Sequence, residues 1–359
     1  MHEFEIRRRR LLSQRLIGAA LATPSDAVHW LGAVQAQDFA GAKWALGMRL
    51  KGATDASVEK AFAAGAILRT HLLRPTWHFV TPADIRWLLA LTAPRVHAAN
   101  ASMYRKLGLD RATFKRSAAA LARTLEGGQH RTRDELRHVL RRAKVSTDGE
   151  LRMGYIMMHA ELDGLVCSGP RRGKQFTYAL LDEKTPPTKT MKREEALAEL
   201  VRWFFTSRGP ATMQDFAKWS GLTVAEARTG IEGVSHNFES EVVNGKTYWF
   251  APYKGRALQA APPAAHLLSI YDEYISGYKD RSAIVNAAGA AKLSAMGNAL
   301  SSIIVVDGRI VGAWKRRFKK GSVAIRTETF QRLSTAEKRA VDAAIETYSD
   351  FLGMTAGLE

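Results

Sequence analysis

One outline recurs along this chain and limits what it can fold into: two helical patterns followed by two short strand patterns around a tight turn. The segment "GELRMGYIMMHAELDGLVCSGPRRGKQFTYALL" carries it most plainly. A helix closes near Asp163-Gly164; the strand "LVCSG", the basic turn "PRRGK" and the strand "QFTYALL" follow. Just upstream, "HRTRDELRHVLRRA" sets Thr132 three residues before Glu135, the spacing of a capping box. The outline returns downstream, where Glu194 to Ser207 is helical and "GPATMQDFAKWSG" repeats the capping spacing with Thr212 and Asp215. The helix "TVAEARTGIEGV" follows, then the strand pair "NFESEVVNGKTYWFA", which turns at Asn244-Gly245, the strongest two-residue hairpin signal. A looser version covers residues 10–80. It has an amphipathic segment from Arg10 to Ala22, a helix opened by Thr23-Pro24-Ser25-Asp26, a helical pattern from Asp55 to Leu68, and "THLLRPTWHFVT", which alternates and breaks at Pro75.

Two helices and a hairpin make the outline of a winged helix-turn-helix. The expected fold is mainly α with small β wings: three tandem winged units, 1–109, 110–188 and 189–258, then a β-rich element with a terminal helix, 259–359. The copies share a pattern and not a sequence. Two breaks support the division, the Pro-, Lys- and Thr-rich stretch 181–194 and "QAAPPAA" at 259–265. Beyond the second lie a hairpin about Asp307-Gly308, the strand "SVAIRTE" and the capped helix "STAEKRAVDAAIETYSDFL".

Charge narrows the partners. The 359 residues include 53 Lys and Arg against 35 Asp and Glu, a formal charge of +18, and a chain this basic faces a polyanion, nucleic acid first; with the winged units, double-stranded DNA is the expected partner. The single cysteine, Cys167, rules out an intrachain disulfide and a thiolate zinc cluster. No histidine spacing such as H-E-x-x-H occurs, so neither metal nor cofactor is expected. "MHEFEIRRRR" is followed by a stretch holding Gln14 and Arg15, which reads as neither signal peptide nor membrane span, and a cytoplasmic location is the default.

Arg171, Arg172 and Lys174 fall on a wing tip, where long cations reach phosphates or a minor groove. In "WKRRFKKG", Lys315, Arg316 and Arg317 interleave with aromatics. That suits backbone contact and stacking, and equally an edge strand guarded by cations. The run at 7–10 is either an arm for DNA or a charged start. Three winged units on one chain can wrap a duplex without dimerising, so a monomer with no protein partner is expected. Such an investment suits an enzyme that holds DNA around a lesion.

The segments "VQAQDFAGAKWALGMRL", "LRTHLLRPTWHFVTPADI", "GPATMQDFAKWSGL", "YDEYISGYKDR" and "IVVDGRIVGAWKR" occur in this order over nearly the whole chain. Together they resemble the bacterial winged-helix DNA-binding family that includes the AlkZ-like and YcaQ-like DNA glycosylases, which unhook interstrand crosslinks and remove alkylated purines. The resemblance implies a C-shaped array of three winged helices, a location with the nucleoid, and a catalytic signature of glutamine, aliphatic residue, glutamine. Gln35-Ala36-Gln37 matches it, with Ala36 smaller than the usual aliphatic residue. Asp38 is offset by one from the aspartate of YcaQ-like members, and capping or an ion pair is the favoured reading over catalysis. Within the family-like strand pair, Arg69 and Arg74 are candidate phosphate contacts. Trp77 and His78 could support the site, although core positions suit both better. The knot Tyr271, Asp272, Tyr274, Tyr278, Asp280, Arg281 reads first as an Asp–Arg lock on the C-terminal element and second as a DNA contact.

Two amides make chemical sense for such a reaction. Glutamine cannot deprotonate water, but its carbonyl accepts and its NH₂ donates a hydrogen bond. Glycoside cleavage ordinarily needs one carboxyl to protonate the leaving group and another to activate water. An N7- or N3-alkylated purine is already cationic and leaves neutral, so only the water needs placing. Orientation supplies part of the roughly 7–11 kcal/mol available to well-placed reactants. The spacing adds a condition: residues i and i+2 point about 200° apart on a helix and to one side on a strand. A continuous helix through Gln35 and Gln37 would count against a joint role. The alternative function is a non-catalytic winged-helix DNA-binding or regulatory protein on the same scaffold.

Overall fold

The computed structural model describes residues 1–358 apart from 186–190, 254–261 and 297–301. Part of the expected linker 181–194 and of the break 259–265 therefore lies outside the described residues. The chain forms two compact units, one of residues 1–59, 198–219 and 223–359, the other of residues 60–197 and 220–222.

The elements run α1 (Glu3–Ser13), α2 (Pro24–Leu31), β1 (Val34–Gln35), α3 (Phe39–Gly47), α4 (Asp55–Ala63), β2 (Leu68–Leu72) and β3 (Thr76–Val80). Next come α5 (Ile85–Lys106), α6 (Arg111–Leu125), β4 (Arg131–Thr132), α7 (Arg133–Arg142), α8 (Arg152–Leu162), β5 (Val166–Arg172) and β6 (Gln175–Leu180). The chain continues with α9 (Arg193–Arg208), α10 (Met213–Ser220), α11 (Val224–Glu232), β7 (Glu239–Val243), β8 (Lys246–Phe250), β9 (Ala265–Leu268), α12 (Glu273–Ser276) and α13 (Ala287–Ala295). It ends with β10 (Ile303–Val306), β11 (Arg309–Lys319), β12 (Ser322–Thr329), α14 (Thr335–Leu352) and β13 (Thr355–Leu358). The fold is thus rich in helix with small, mainly antiparallel sheets. No described helix is long and apolar enough to cross a membrane.

Local chemistry accounts for most boundaries. The Thr132/Glu135 box caps α7, and both Asn244-Gly245 and Asp307-Gly308 turn with positive φ at each residue, as a two-residue hairpin requires. Two expectations need correction. The helical pattern from Asp55 to Leu68 stops at Ala63, because Gly65 takes a φ of +78° and Leu68 already begins β2. The amphipathic segment expected over 10–22 is the end of a helix that begins at Glu3 and stops at Ser13, where Arg15 turns to a φ of +58°.

That earlier start changes the reading of the arginine run, which is neither an arm nor a loose beginning. Arg10 is fully buried, with its Nε donating to the Pro210 carbonyl at 2.9 Å and its guanidinium 3.8 Å from the Tyr278 ring centroid. Arg7 donates to the Ala283 carbonyl at 2.9 Å, and Arg9 pairs with Glu5 one turn back.

In the first unit, β13-β12-β11-β10-β9 form a five-stranded sheet, antiparallel except for the parallel β12–β13 pair. Leu268, Ile303, Val305 and Ile310 of that sheet pack with Leu11, Tyr274 and Ile284 into one core. In the second unit, β4-β6-β5 form a three-stranded sheet, and a separate core joins Leu121, Leu125, Leu136, Leu140, Ile156 and Val166. These apolar side chains recur at helical spacing on α6, α7 and α8, which is why those helices bury one face each.

Candidate active site

Gln35 and Gln37 stand in a short link between two helices of the first unit. Thr23 and Asp26 form a full capping box on α2, with Pro24 at its first position. The helix ends at Gly32, whose φ of +73° suits glycine, and a Cβ there would lie 2.6 Å from Cε3 of Trp203. Asp38 then caps α3 by accepting the Gly41 N–H. Between these stops the backbone is extended through Val34 and Gln35 and bends at Gln37, so no helix runs through the pair. The two glutamines meet different surroundings: Gln35 is 6 % exposed, and Gln37 is exposed. Ala36 between them is fully buried.

What fixes this link is a buried ion pair from distant sequence. Arg208 and Glu273, both with fully buried side chains, meet at 2.6 Å. Glu273 also accepts the Gln35 backbone N–H at 2.9 Å and the Trp219 indole N–H at 3.0 Å. Arg208 donates to the Leu31 carbonyl at 2.8 Å and the Ala33 carbonyl at 3.2 Å. One pair therefore holds backbone groups of residues 31, 33 and 35, the whole approach to the motif.

A second buried pair backs the first. Both guanidinium nitrogens of Arg49 reach Asp272 at 3.0 Å, and Arg49 also donates to the Gln14 side-chain and backbone oxygens at 2.9 and 3.0 Å. The Gln14 amide donates to the Tyr278 hydroxyl at 2.9 Å, which in turn donates to the Arg208 carbonyl at 2.8 Å. Burial pushes the Tyr278 phenol up to about 12, so it stays protonated and able to donate at neutral pH. An Asp–Arg pair is thus present at Asp272, but its arginine stands outside the knot around Tyr271, and the knot's Asp280 pairs with Lys246. The partner of Asp272, Arg49, and the neighbouring pair Arg208–Glu273 have no signal in residue spacing. The only sequence hint is that charged residues in apolar runs need partners.

The other candidates fall into three settings. Arg69 on β2 is 4 % exposed, with its guanidinium 4.3 Å from the Phe176 ring centroid and 4.5 Å from that of Trp77. Burial lowers it to about 10, against the opposing pull of Glu161. The same carboxylate, fully buried on α8, pairs with His71 and accepts the Trp77 indole N–H at 3.3 Å. His78 is fully buried, with Nδ1 2.9 Å from the Thr76 carbonyl, and Arg74 lies half-buried at the β2–β3 turn.

At the β5–β6 turn, Lys174 is exposed and Arg171 sits 5.9 Å from the Phe176 ring centroid. Arg172 forms a two-pronged pair with Glu135 at 2.9 Å and donates to the His130 carbonyl at 2.8 Å. The Arg172 hydrogen bond and the Thr132 N–H hold the Glu135 carboxyl down to about 2. On β11, Lys315 and Arg317 are exposed, while Arg316 donates to the Tyr348 hydroxyl. Among the described residues, 315–319 pair with β12 alone, because the β10 register ends at Ala313. This stretch is a cationic ribbon paired with β12. Cys167 is buried and its thiol is pushed up to about 12 by desolvation, which leaves it inert.

Comparison with known proteins places the chain. Residues 28–351 match the family described as DNA glycosylase AlkZ-like, and the protein belongs to that family of DNA glycosylases. An interstrand DNA cross-link repair glycosylase of Streptomyces sahachiroi is 27 % identical over 312 residues, covering 81 % of each chain. The solved structure of the Streptomyces sahachiroi DNA glycosylase AlkZ has the same fold, with a TM-score of 0.78 at 22 % identity over all of both chains.

Proposed function

We propose that this protein hydrolyses the N-glycosidic bond of N7- or N3-alkylated purines in duplex DNA, including purines tied into interstrand crosslinks. In this reading Gln37 holds the attacking water and Gln35 supports it. The carrying observation is the contrast between an exposed Gln37 and a backbone pinned at residues 31, 33 and 35 by the Arg208–Glu273 pair. A rigid, partly buried support beneath one solvent-facing amide is what positioning without deprotonation demands.

The reaction balances without an acid or a base. The C1′–N9 bond breaks with its electron pair moving onto the purine, which cancels the positive charge placed there by alkylation. The water held by Gln37 bonds to C1′ and then loses a proton to solvent, leaving an abasic site. Asp38 is engaged as the cap of α3, which supports the amide pair over this carboxylate as the group that holds water. We read the element runs α6-β4-α7-α8-β5-β6 and α10-α11-β7-β8 as winged units that carry the duplex, with a third formed by residues 1–109. Lys174, Arg171, Lys315 and Arg317 are the proposed backbone contacts, and the protein acts as a monomer.

The test is incubation of the protein with duplex DNA carrying N7-methylguanine, followed by strand scission at abasic sites. Base release supports the proposal. Salt-dependent duplex binding with no release from any of several N-alkylpurines would assign the protein to the non-catalytic class instead.

A further inference from the structure

Histidine spacing gives no hint of a metal site, yet the fold of the second unit assembles a set of ligands. Among the described residues, His97, His159 and Asp163 each offer one ligand atom, all within 4.8 Å of one another. His97 lies on α5, His159 on the last turn of α8, and Asp163 is the residue that caps α8. His97 Nε2 is 3.1 Å from one Asp163 oxygen, and His159 Nδ1 is 3.0 Å from the other. Tetrahedral zinc with bonds of about 2.0–2.1 Å separates its ligand atoms by about 3.3 Å, so whichever Asp163 oxygen binds, its edge to one histidine is already near that length, and the other edges lie within 4.8 Å.

The surroundings are built as a metal site's are. His97 Nδ1 is 3.0 Å from the Tyr104 hydroxyl, the kind of outer contact that fixes the ring and tautomer of a ligating histidine. The His159 ring is stacked on Phe114 at 3.6 Å between centroids, which holds its plane. Both helices are anchored beside the cluster, where Ala93 and Val96 of α5 pack on Leu162 of α8. His97 and Asp163 also line a cleft of about 340 Å³ bordered by Arg86, Pro94 and Leu181, which leaves room for a non-protein ligand.

We propose that His97, His159 and Asp163 bind a zinc-type divalent ion, with water in the fourth position. Two imidazoles and one carboxylate select Zn²⁺ over Mg²⁺ or Ca²⁺, which prefer all-oxygen shells. The site belongs to the second unit.

The test uses the full chain stripped with a chelator and titrated with Co²⁺, whose visible absorption reports tetrahedral nitrogen and oxygen ligation, and with Zn²⁺ in competition. The expected result is one equivalent bound and displaced by Zn²⁺. Asp163→Asn and His97→Gln should weaken binding at least tenfold, and Tyr104→Phe should weaken it about 10–100-fold through loss of the outer contact. Absence of saturable Co²⁺ or Zn²⁺ binding by the unmodified protein would overturn the proposal. So would undiminished binding by the Asp163→Asn and His97→Gln variants, with circular dichroism showing each folded.

Discussion

Replacing Glu273 with alanine probes the support beneath the glutamine pair. The carboxylate accepts from Arg208, from the Gln35 backbone N–H and from the Trp219 indole, and both Glu273 and Arg208 are fully buried. Removal leaves the guanidinium charge uncompensated in a dry interior, which costs about 3–5 kcal/mol when one partner of a buried pair is lost. The two orphaned N–H donors would add about 1–3 kcal/mol each if solvent and structure did not relax around them, so the first figure is the conservative one. For a unit of this size, such a loss lowers Tm by about 6–20 °C. Urea unfolding followed by tryptophan fluorescence reports it directly, because Trp219 sits on the pair itself. The double variant Arg208→Met/Glu273→Gln removes both charges and keeps a carbonyl acceptor in place of the carboxylate, and it should be more stable than Glu273→Ala alone. A Glu273→Ala variant within about 1 kcal/mol of the unmodified protein, which is the ordinary effect of a point substitution, would refute this reasoning.

Other outcomes follow from single contacts. Gly32→Ala forces a Cβ to within 2.6 Å of the Trp203 ring at a positive φ, and should destabilise by about 2–4 kcal/mol in urea unfolding. Lys174→Ala should leave thermal stability unchanged while lowering the salt dependence of duplex binding by about one counterion, measured by fluorescence anisotropy from low to moderate salt. Arg172→Ala should return the Glu135 carboxyl from about 2 toward its ordinary value of 4.5, read by NMR titration. Because that pKa is depressed in the folded chain, its contribution is present above the ordinary value and fades as pH falls from there toward 2. Cys167 should resist alkylation by iodoacetamide at pH 8 until the protein unfolds, detected by mass spectrometry, because desolvation keeps it a thiol.

Features set by neighbours in sequence were legible, and those set by distant partners were not. Asn244-Gly245, Asp307-Gly308 and the Thr132/Glu135 box announce their turns and caps because the determining atoms lie within four residues. The break in the helix between Gln35 and Gln37 follows from the same local logic, since Gly32 stops one helix and Asp38 starts the next. Arg49, Arg208 and Glu273 are different. Periodicity treats them as surface charges, and only the fold reveals that each is buried against its partner. Arg69 shows the same limit: an arginine on a strand beside aromatics reads as a phosphate contact, and only the fold shows it buried with its guanidinium over the Trp77 and Phe176 rings. The His97, His159 and Asp163 group also joins two helices, so linear spacing could not show it.

The most direct test of the central claim is single-turnover release of N7-methylguanine from a duplex by the unmodified protein and by Gln37→Ala, with duplex affinity measured in parallel. Gln37 is exposed, so the substitution should leave folding and affinity intact. The account predicts a loss of about 100-fold or more in the rate of base release, the scale expected when a reactant loses its positioning. Equal rates for the two proteins would contradict the role assigned to Gln37.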